Sequence, residues 1–200
     1  EIRSRTRLTP EQGLREAQAM CARTGVALVV IPELKGTRAS GATRWLAPDR
    51  AMIQLSLRYR SDDQIWFSFF HEAAHILRHG KRALIIERTG NNDIREQEAN
   101  SFAQDFLIPP TALSRFLAAG DLTRHAIASF ANGQGIASGI VVGRLQHDGH
   151  LGQLANPREE AGRLAQLRAP VHRLLAQLWL ALGDPARAHA FAEDLRIPCV

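Results

Sequence analysis

Residues 71–75 read His-Glu-Ala-Ala-His, with two histidines four positions apart and a glutamate directly after the first. On a helix, residues four apart lie on one face ~6 Å apart, so both imidazoles can reach one zinc ion at about 2.0–2.1 Å. Glu72 stands roughly 100° around the helix from His71, where its carboxylate can contact a metal-bound water instead of the metal. The pattern predicts a hydrolytic site with His71 and His75 as ligands and Glu72 as general base.

The helix that carries this motif is expected to span residues 62–79, beginning after Ser61 and ending at Gly80. HExxH also occurs by chance in unrelated helices, so the motif must be judged together with the other residues of its helix. An apolar stripe falls nearly opposite His71 and His75 and comprises Trp66, Phe69, Ala73, Ile76 and Leu77. The two histidines are therefore expected to face a cleft instead of the core.

The third metal ligand is not determined by the motif. His79 lies ~12 Å along the axis from His71, too far for tetrahedral zinc, and is better interpreted as a helix C-terminal residue favoured by the dipole. The next expected helix, residues 93–107, contains Glu-Gln-Glu-Ala-Asn, with Glu96 and Glu98 near opposite edges of its apolar face. Helical geometry alone leaves both carboxylates open as ligands.

The elements around the motif predict an α+β fold, in which a small sheet of about three strands packs on the zinc helix and a mostly helical C-terminal half follows. The expected strands are 26–32, 43–46 and 51–57, and the expected helices besides the two above are 10–23, 111–119, 122–131 and 136–147. We divide the chain into a peptidase domain, residues 1–150, and a helical tail of uncertain role, residues 151–200. In the tail, Leu175, Trp179 and Leu182 share one helix face, which favours packing or self-association, and hence a possible homodimer.

Composition narrows the class of protein. The chain has 45% hydrophobic residues, only two cysteines, and no apolar run near the roughly 20 residues that span a bilayer. These features indicate a cytoplasmic protein without a membrane segment or disulfide framework. The +5 charge is spread over single arginines, which favours a solvated surface over a nucleic-acid site. Because the sequence opens Glu-Ile-Arg without methionine, we expect a fragment or a processed form.

Residues 131–145 partly fit the spacing of a helix-turn-helix. The second helix of that pattern, however, carries Gly139 and Gly143 and mostly aliphatic residues, with few side chains that can read bases. Glycines there suggest close helix packing, so a structural role is expected.

HExxH followed some twenty residues later by E-x-E-A-N-x-F-A-x-x-x-L-I-P resembles the ImmA/IrrE family of zinc metallopeptidases. Residues 41–46, 54–63 and 139–149 are similar to the branch with a Cro/C1-type helix-turn-helix ahead of the peptidase domain. The resemblance covers about residues 25–150. It implies that His71 and His75 bind Zn2+, that Glu72 is the base, and that the glutamate directly before Ala-Asn, Glu98, completes a gluzincin-like ligand set.

The resemblance also implies a function. Targets in this family tend to be helix-turn-helix repressors, so the chain is expected to be a zinc endopeptidase that cleaves a transcriptional repressor or a related regulatory protein. The alternative is a non-catalytic regulatory or antitoxin module, in which an upstream domain absent from this sequence binds DNA or a toxin.

Overall fold

The computed structural model describes residues 1–31, 40–56, 61–79 and 94–151. A short 3-10 helix, Ile2–Arg7, comes first. It is followed by α1 (Pro10–Ala22), β1 (Val26–Ile31), β2 (Gly41–Ala47), β3 (Arg50–Ser56), α2 (Asp62–Arg78), α3 (Ile94–Leu107), α4 (Pro110–Ala118), α5 (Arg124–Gln134) and α6 (Ser138–His147). The α+β class and every predicted strand and helix of residues 1–150 are confirmed, with boundaries that differ by a few residues.

The three strands form one mixed sheet in the order β1-β3-β2. β3 is central and pairs parallel with β1 and antiparallel with β2. β3 has the alternation of a half-buried strand, because Ala51, Ile53 and Leu55 are buried while the residues between them are only partly covered. β2 is longer than predicted, since it begins at Gly41 and continues to Ala47. Helix α2 packs against β2 and β3, and α1 packs against β1.

Helix α2 runs through the hydrophobic core and holds the site in place. Ile65, Trp66, Phe69 and Phe70 are each at most 4% exposed. Fully burying such side chains contributes roughly 1.5–3 kcal/mol each. The predicted apolar stripe is wrong at its C-terminal end, because Leu77 is 70% exposed. Periodicity identifies the face of a helix, whereas burial also depends on whether a neighbouring element covers that turn.

Helices α5 and α6 meet at 112°, joined by a turn in which Gly135 adopts φ +70°. Such an angle is typical of a helix-turn-helix. Here the second helix packs on α2: its residues Ile140, Val141 and Leu145 are buried, and a side chain at Gly143 would collide with the Asp63 carboxylate. Helix α6 is therefore a packing element, as predicted from its glycines, but only Gly143 makes the close approach: a Cβ at Gly139 would meet nothing within 4 Å.

Within the described residues, no single helix is both long and apolar enough to cross a membrane, although α5 and α6 taken together as a bent pair reach that length and composition.

Some predictions lie outside the described residues. These are the tail helices with Leu175, Trp179 and Leu182, and the expected helix end at Gly80.

Candidate metal centre

The two motif histidines converge on one point. One turn of α2 separates His71 from His75, and their Nε2 atoms lie 3.1 Å apart. Helix α3 brings Glu96 to the same point: its Oε2 is 3.1 Å from His71 Nε2 and its Oε1 is 3.3 Å from His75 Nε2. The histidine side chains are 15% and 20% exposed and the Glu96 side chain is 56% exposed, so solvent reaches the cluster.

These distances match the edges of a metal coordination polyhedron. Tetrahedral zinc with ligand bonds of about 2.0–2.1 Å requires ligand atoms about 3.3 Å apart. Two imidazole nitrogens and one carboxylate are also the ligands of catalytic zinc sites that keep a fourth position open. His71, His75 and Glu96 therefore fit a divalent metal in both chemistry and spacing, and they form the group that can hold one among the described residues.

The proton on His71 can be placed from its second nitrogen. His71 Nδ1 lies 2.9 Å from Asn100 Oδ1. An amide oxygen can only accept, so Nδ1 carries the proton and Nε2 presents its lone pair to the cluster. Asn100 follows Glu96 by four positions, so one face of α3 supplies both the carboxylate and the residue that orients His71.

Glu98 lies elsewhere than the resemblance implied. Its Oε2 is 3.0 Å from His79 Nε2, and Glu96 takes the position beside His71 and His75. Residues two apart on a helix point about 200° away from each other, so the two glutamates reach different parts of α2. His79 is the C-terminal capping residue of α2, as expected, but its side chain is only 4% exposed and its Nδ1 is 2.9 Å from His75 Nδ1.

Glu72 is buried beside the cluster, with 6% of its surface exposed. The hydroxyl of Thr43 lies 2.6 Å from Glu72 Oε2 and 3.1 Å from the Glu72 carbonyl oxygen. Burial raises the pKa of Glu72 to about 7; the Thr43 hydrogen bond opposes this shift and the negative charge of Glu96 adds to it. A carboxyl group with a pKa near neutrality can both accept and release a proton at neutral pH, which suits a general base.

Strand β2 approaches Glu72 closely. A Cβ atom at Gly41 would lie 2.5 Å from Glu72 Oε1, so only glycine leaves room for the carboxylate in this position. Thr43 and Gly41 were not identified from the sequence as site residues. They lie some thirty residues before Glu72 and meet it only because β2 packs on α2. Asn100 could have been found, because it shares a helix face with Glu96.

A cavity of about 360 Å³ is lined by residues of α2, α3 and α6. Asn100, which holds His71, forms part of its wall, and the ring of Phe67 lies 6.2 Å from the His71 ring. Much of the remaining wall is apolar and comprises Leu107, Ile108 and Ile140. Asn100 therefore connects this cavity to the candidate metal centre, whose three ligand residues do not line it.

An α+β domain with HExxH on a core helix and a carboxylate from the following helix defines a protein of the metallopeptidase class. Residues 25–132, more than half of the chain, match the IrrE N-terminal-like domain, Peptidase_M78. The chain belongs to this family, which confirms the family indicated by the sequence motifs. No curated protein and no solved structure matches the chain.

Proposed function

We propose that the protein is a zinc-dependent endopeptidase. His71, His75 and Glu96 hold the metal, and Glu72 is the general base. The observation that carries the proposal is the convergence of His71, His75 and Glu96 beside a buried carboxyl group: the two histidine Nε2 atoms lie 3.1 Å apart, and the two Glu96 oxygens each lie 3.1–3.3 Å from one of those nitrogens. A purely structural metal site would have no use for a buried, ionisable Glu72, whose placement costs stability.

The chain's own residues account for the proton transfers. Zinc, when bound, supplies Lewis-acid chemistry and lowers the pKa of a water molecule to about 7. Glu72 accepts a proton from the water that attacks the peptide carbonyl carbon. As the C–N bond breaks, Glu72 passes that proton to the leaving nitrogen, which departs as an amine. The Thr43 hydroxyl holds Glu72 Oε2 during both transfers.

The substrate in this proposal is a protein, and specifically a helix-turn-helix transcriptional repressor or a related regulatory protein. Support comes from the similarity of residues 41–46, 54–63 and 139–149 to the family branch with an upstream helix-turn-helix domain. Asn100, which holds His71, also lines the cavity between α2, α3 and α6, and the mainly apolar surface of this cavity supports a preference for an apolar substrate side chain. Any contact with DNA is assigned to an upstream domain.

The experiment is to incubate the zinc-loaded full chain with candidate repressors and to identify fragments by mass spectrometry. Glu72→Gln is the matched control, because it keeps size and hydrogen bonding but removes the base. The proposal predicts fragments with the wild type, and a rate ~10²–10⁴-fold lower with Glu72→Gln at unchanged zinc content. Equal cleavage by both proteins would refute the role of Glu72. A zinc-loaded wild type that cleaves no candidate would favour the regulatory-module alternative.

A further inference from the structure

His79 and Glu98 form a chain of hydrogen bonds that ends on His75. His79 uses both ring nitrogens: Nδ1 lies 2.9 Å from His75 Nδ1, and Nε2 lies 3.0 Å from Glu98 Oε2. The His79 side chain is 4% exposed, whereas the Glu98 side chain is 50% exposed. A buried imidazole therefore lies between a candidate metal ligand and a carboxylate at the surface.

The proton positions along this chain are determined by its two ends. A carboxylate only accepts, so His79 Nε2 carries a proton and donates it to Glu98. A neutral His79 ring that donates from Nε2 has an unprotonated Nδ1, which accepts from His75 Nδ1. In that arrangement His75 has its proton on Nδ1 and presents the lone pair of Nε2. That nitrogen is the one that points at His71 Nε2 and Glu96.

We propose that His79 and Glu98 are positioning residues that hold His75 in the tautomer and ring orientation needed to bind the metal. The inference rests on the metal site of the proposed function, but it does not depend on peptidase activity. It also gives the two glutamates of E-x-E different tasks: Glu96 contacts the metal and Glu98 orients a ligand through His79. Helix α3 then anchors both histidines, since Asn100 holds His71 in the same way.

If these contacts only stabilised the fold, their removal would lower folding stability and not specifically zinc affinity. The Glu98 side chain in this contact is 50% exposed, and ion pairs with an exposed partner contribute little to folding. Groups that hydrogen-bond to metal-binding histidines, in contrast, typically change metal affinity by about 10–100-fold when removed. Removal of Glu98 should thus weaken zinc binding much more than it weakens the fold.

The test measures zinc affinity of the full chain by competition with a chromophoric chelator. His79→Ala and Glu98→Gln should each weaken binding by about 10–100-fold with one zinc per chain still bound at saturation. His79→Gln is the conservative variant, because its amide oxygen can accept from His75 while its amide nitrogen donates to Glu98. It should retain more affinity than His79→Ala. Glu16→Gln, which removes an exposed partner of Arg5, is the control and should bind zinc as the wild type does.

Three results would overturn the inference. Affinities of His79→Ala and Glu98→Gln within about threefold of the wild type would show that the chain does not orient His75. Complete loss of zinc with Glu98→Gln would show that Glu98 is itself a ligand. Equal affinity of His79→Gln and His79→Ala would show that the hydrogen bonds are unimportant. If the wild type binds no zinc, both this inference and the proposed function are contradicted. If the wild type binds zinc but cleaves no substrate, the zinc affinities of the variants still test this inference.

Because a variant at buried His79 can unfold, a second measurement uses the wild type. Nitrogen-15 NMR of the imidazole rings in the zinc-loaded protein distinguishes the two tautomers of each histidine. The inference predicts a proton on His75 Nδ1 and on His79 Nε2, with His79 Nδ1 unprotonated. A proton on His79 Nδ1 would refute it.

Discussion

Replacing Glu72 with glutamine should stabilise the metal-free protein, and more so as the pH rises. Burial raises the pKa of Glu72 from 4.5 to about 7. A carboxyl group whose pKa is raised on folding contributes its full stability below the unfolded pKa and loses it as the pH rises through the folded pKa. Above pH 7, the wild type must therefore keep an unfavourable buried carboxylate, whereas glutamine is neutral at every pH.

The magnitude follows from the size of the shift. Each pKa unit corresponds to about 1.4 kcal/mol, so a pKa raised from 4.5 to about 7 gives roughly 3 kcal/mol between the low-pH and high-pH limits. Between pH 5 and pH 8, the difference in free energy of unfolding between Glu72→Gln and the wild type should grow by about 2–3 kcal/mol. For a chain of this length, that corresponds to roughly 5–10 °C in Tm.

The assay is urea unfolding of both proteins with chelator present, at several pH values from 5 to 8. Glu16→Gln serves as the control, because Glu16 is exposed and its replacement should change stability by less than about 0.5 kcal/mol throughout. A difference between Glu72→Gln and the wild type that does not vary with pH would refute the reasoning from burial.

The other predictions concern the surroundings of Glu72 and the core. Thr43→Val should keep zinc but lower the cleavage rate by about 10–100-fold, because a hydrogen bond to a charged group contributes ~1.5–3 kcal/mol. A steady-state assay with a cleaved substrate measures the rate. An unchanged rate would exclude a positioning role for Thr43. Gly41→Ala should also reduce cleavage with zinc content preserved, since the added methyl group displaces the Glu72 carboxylate. Wild-type activity in this variant would show that β2 shifts to accommodate the methyl group and leaves the Glu72 carboxylate in place. Phe70→Ala should destabilise the fold by about 3–5 kcal/mol and Leu77→Ala by less than about 0.5 kcal/mol, measured by urea unfolding; similar costs would contradict the burial described for α2.

The parts of the site that the sequence predicted are those governed by local geometry. A spacing of four residues brings His71 and His75 together on any helix, and the position of Glu72 between them follows from the same periodicity. The small sheet and the order of the helices were also predictable, because alternation and capping residues mark the elements. These signals require no knowledge of how one element packs on another.

The parts that could not be predicted depend on packing between elements. The choice between Glu96 and Glu98 depends on which side of α3 lies toward His71 and His75, and helical periodicity does not determine that side. Thr43 reaches Glu72 only because an edge strand packs on α2. The burial of His79 has the same origin, since its position at a helix terminus suggested a solvated residue and not a link between His75 and Glu98.

Zinc stoichiometry of three variants tests the metal centre most directly. Metal analysis at saturating zinc should find one zinc per chain in the wild type and in Glu98→Ala, and essentially none in Glu96→Ala, because among the described residues it is Glu96 that places a carboxylate beside both His71 and His75. Retention of zinc by Glu96→Ala together with its loss from Glu98→Ala would contradict this ligand set and would make Glu98 the third ligand.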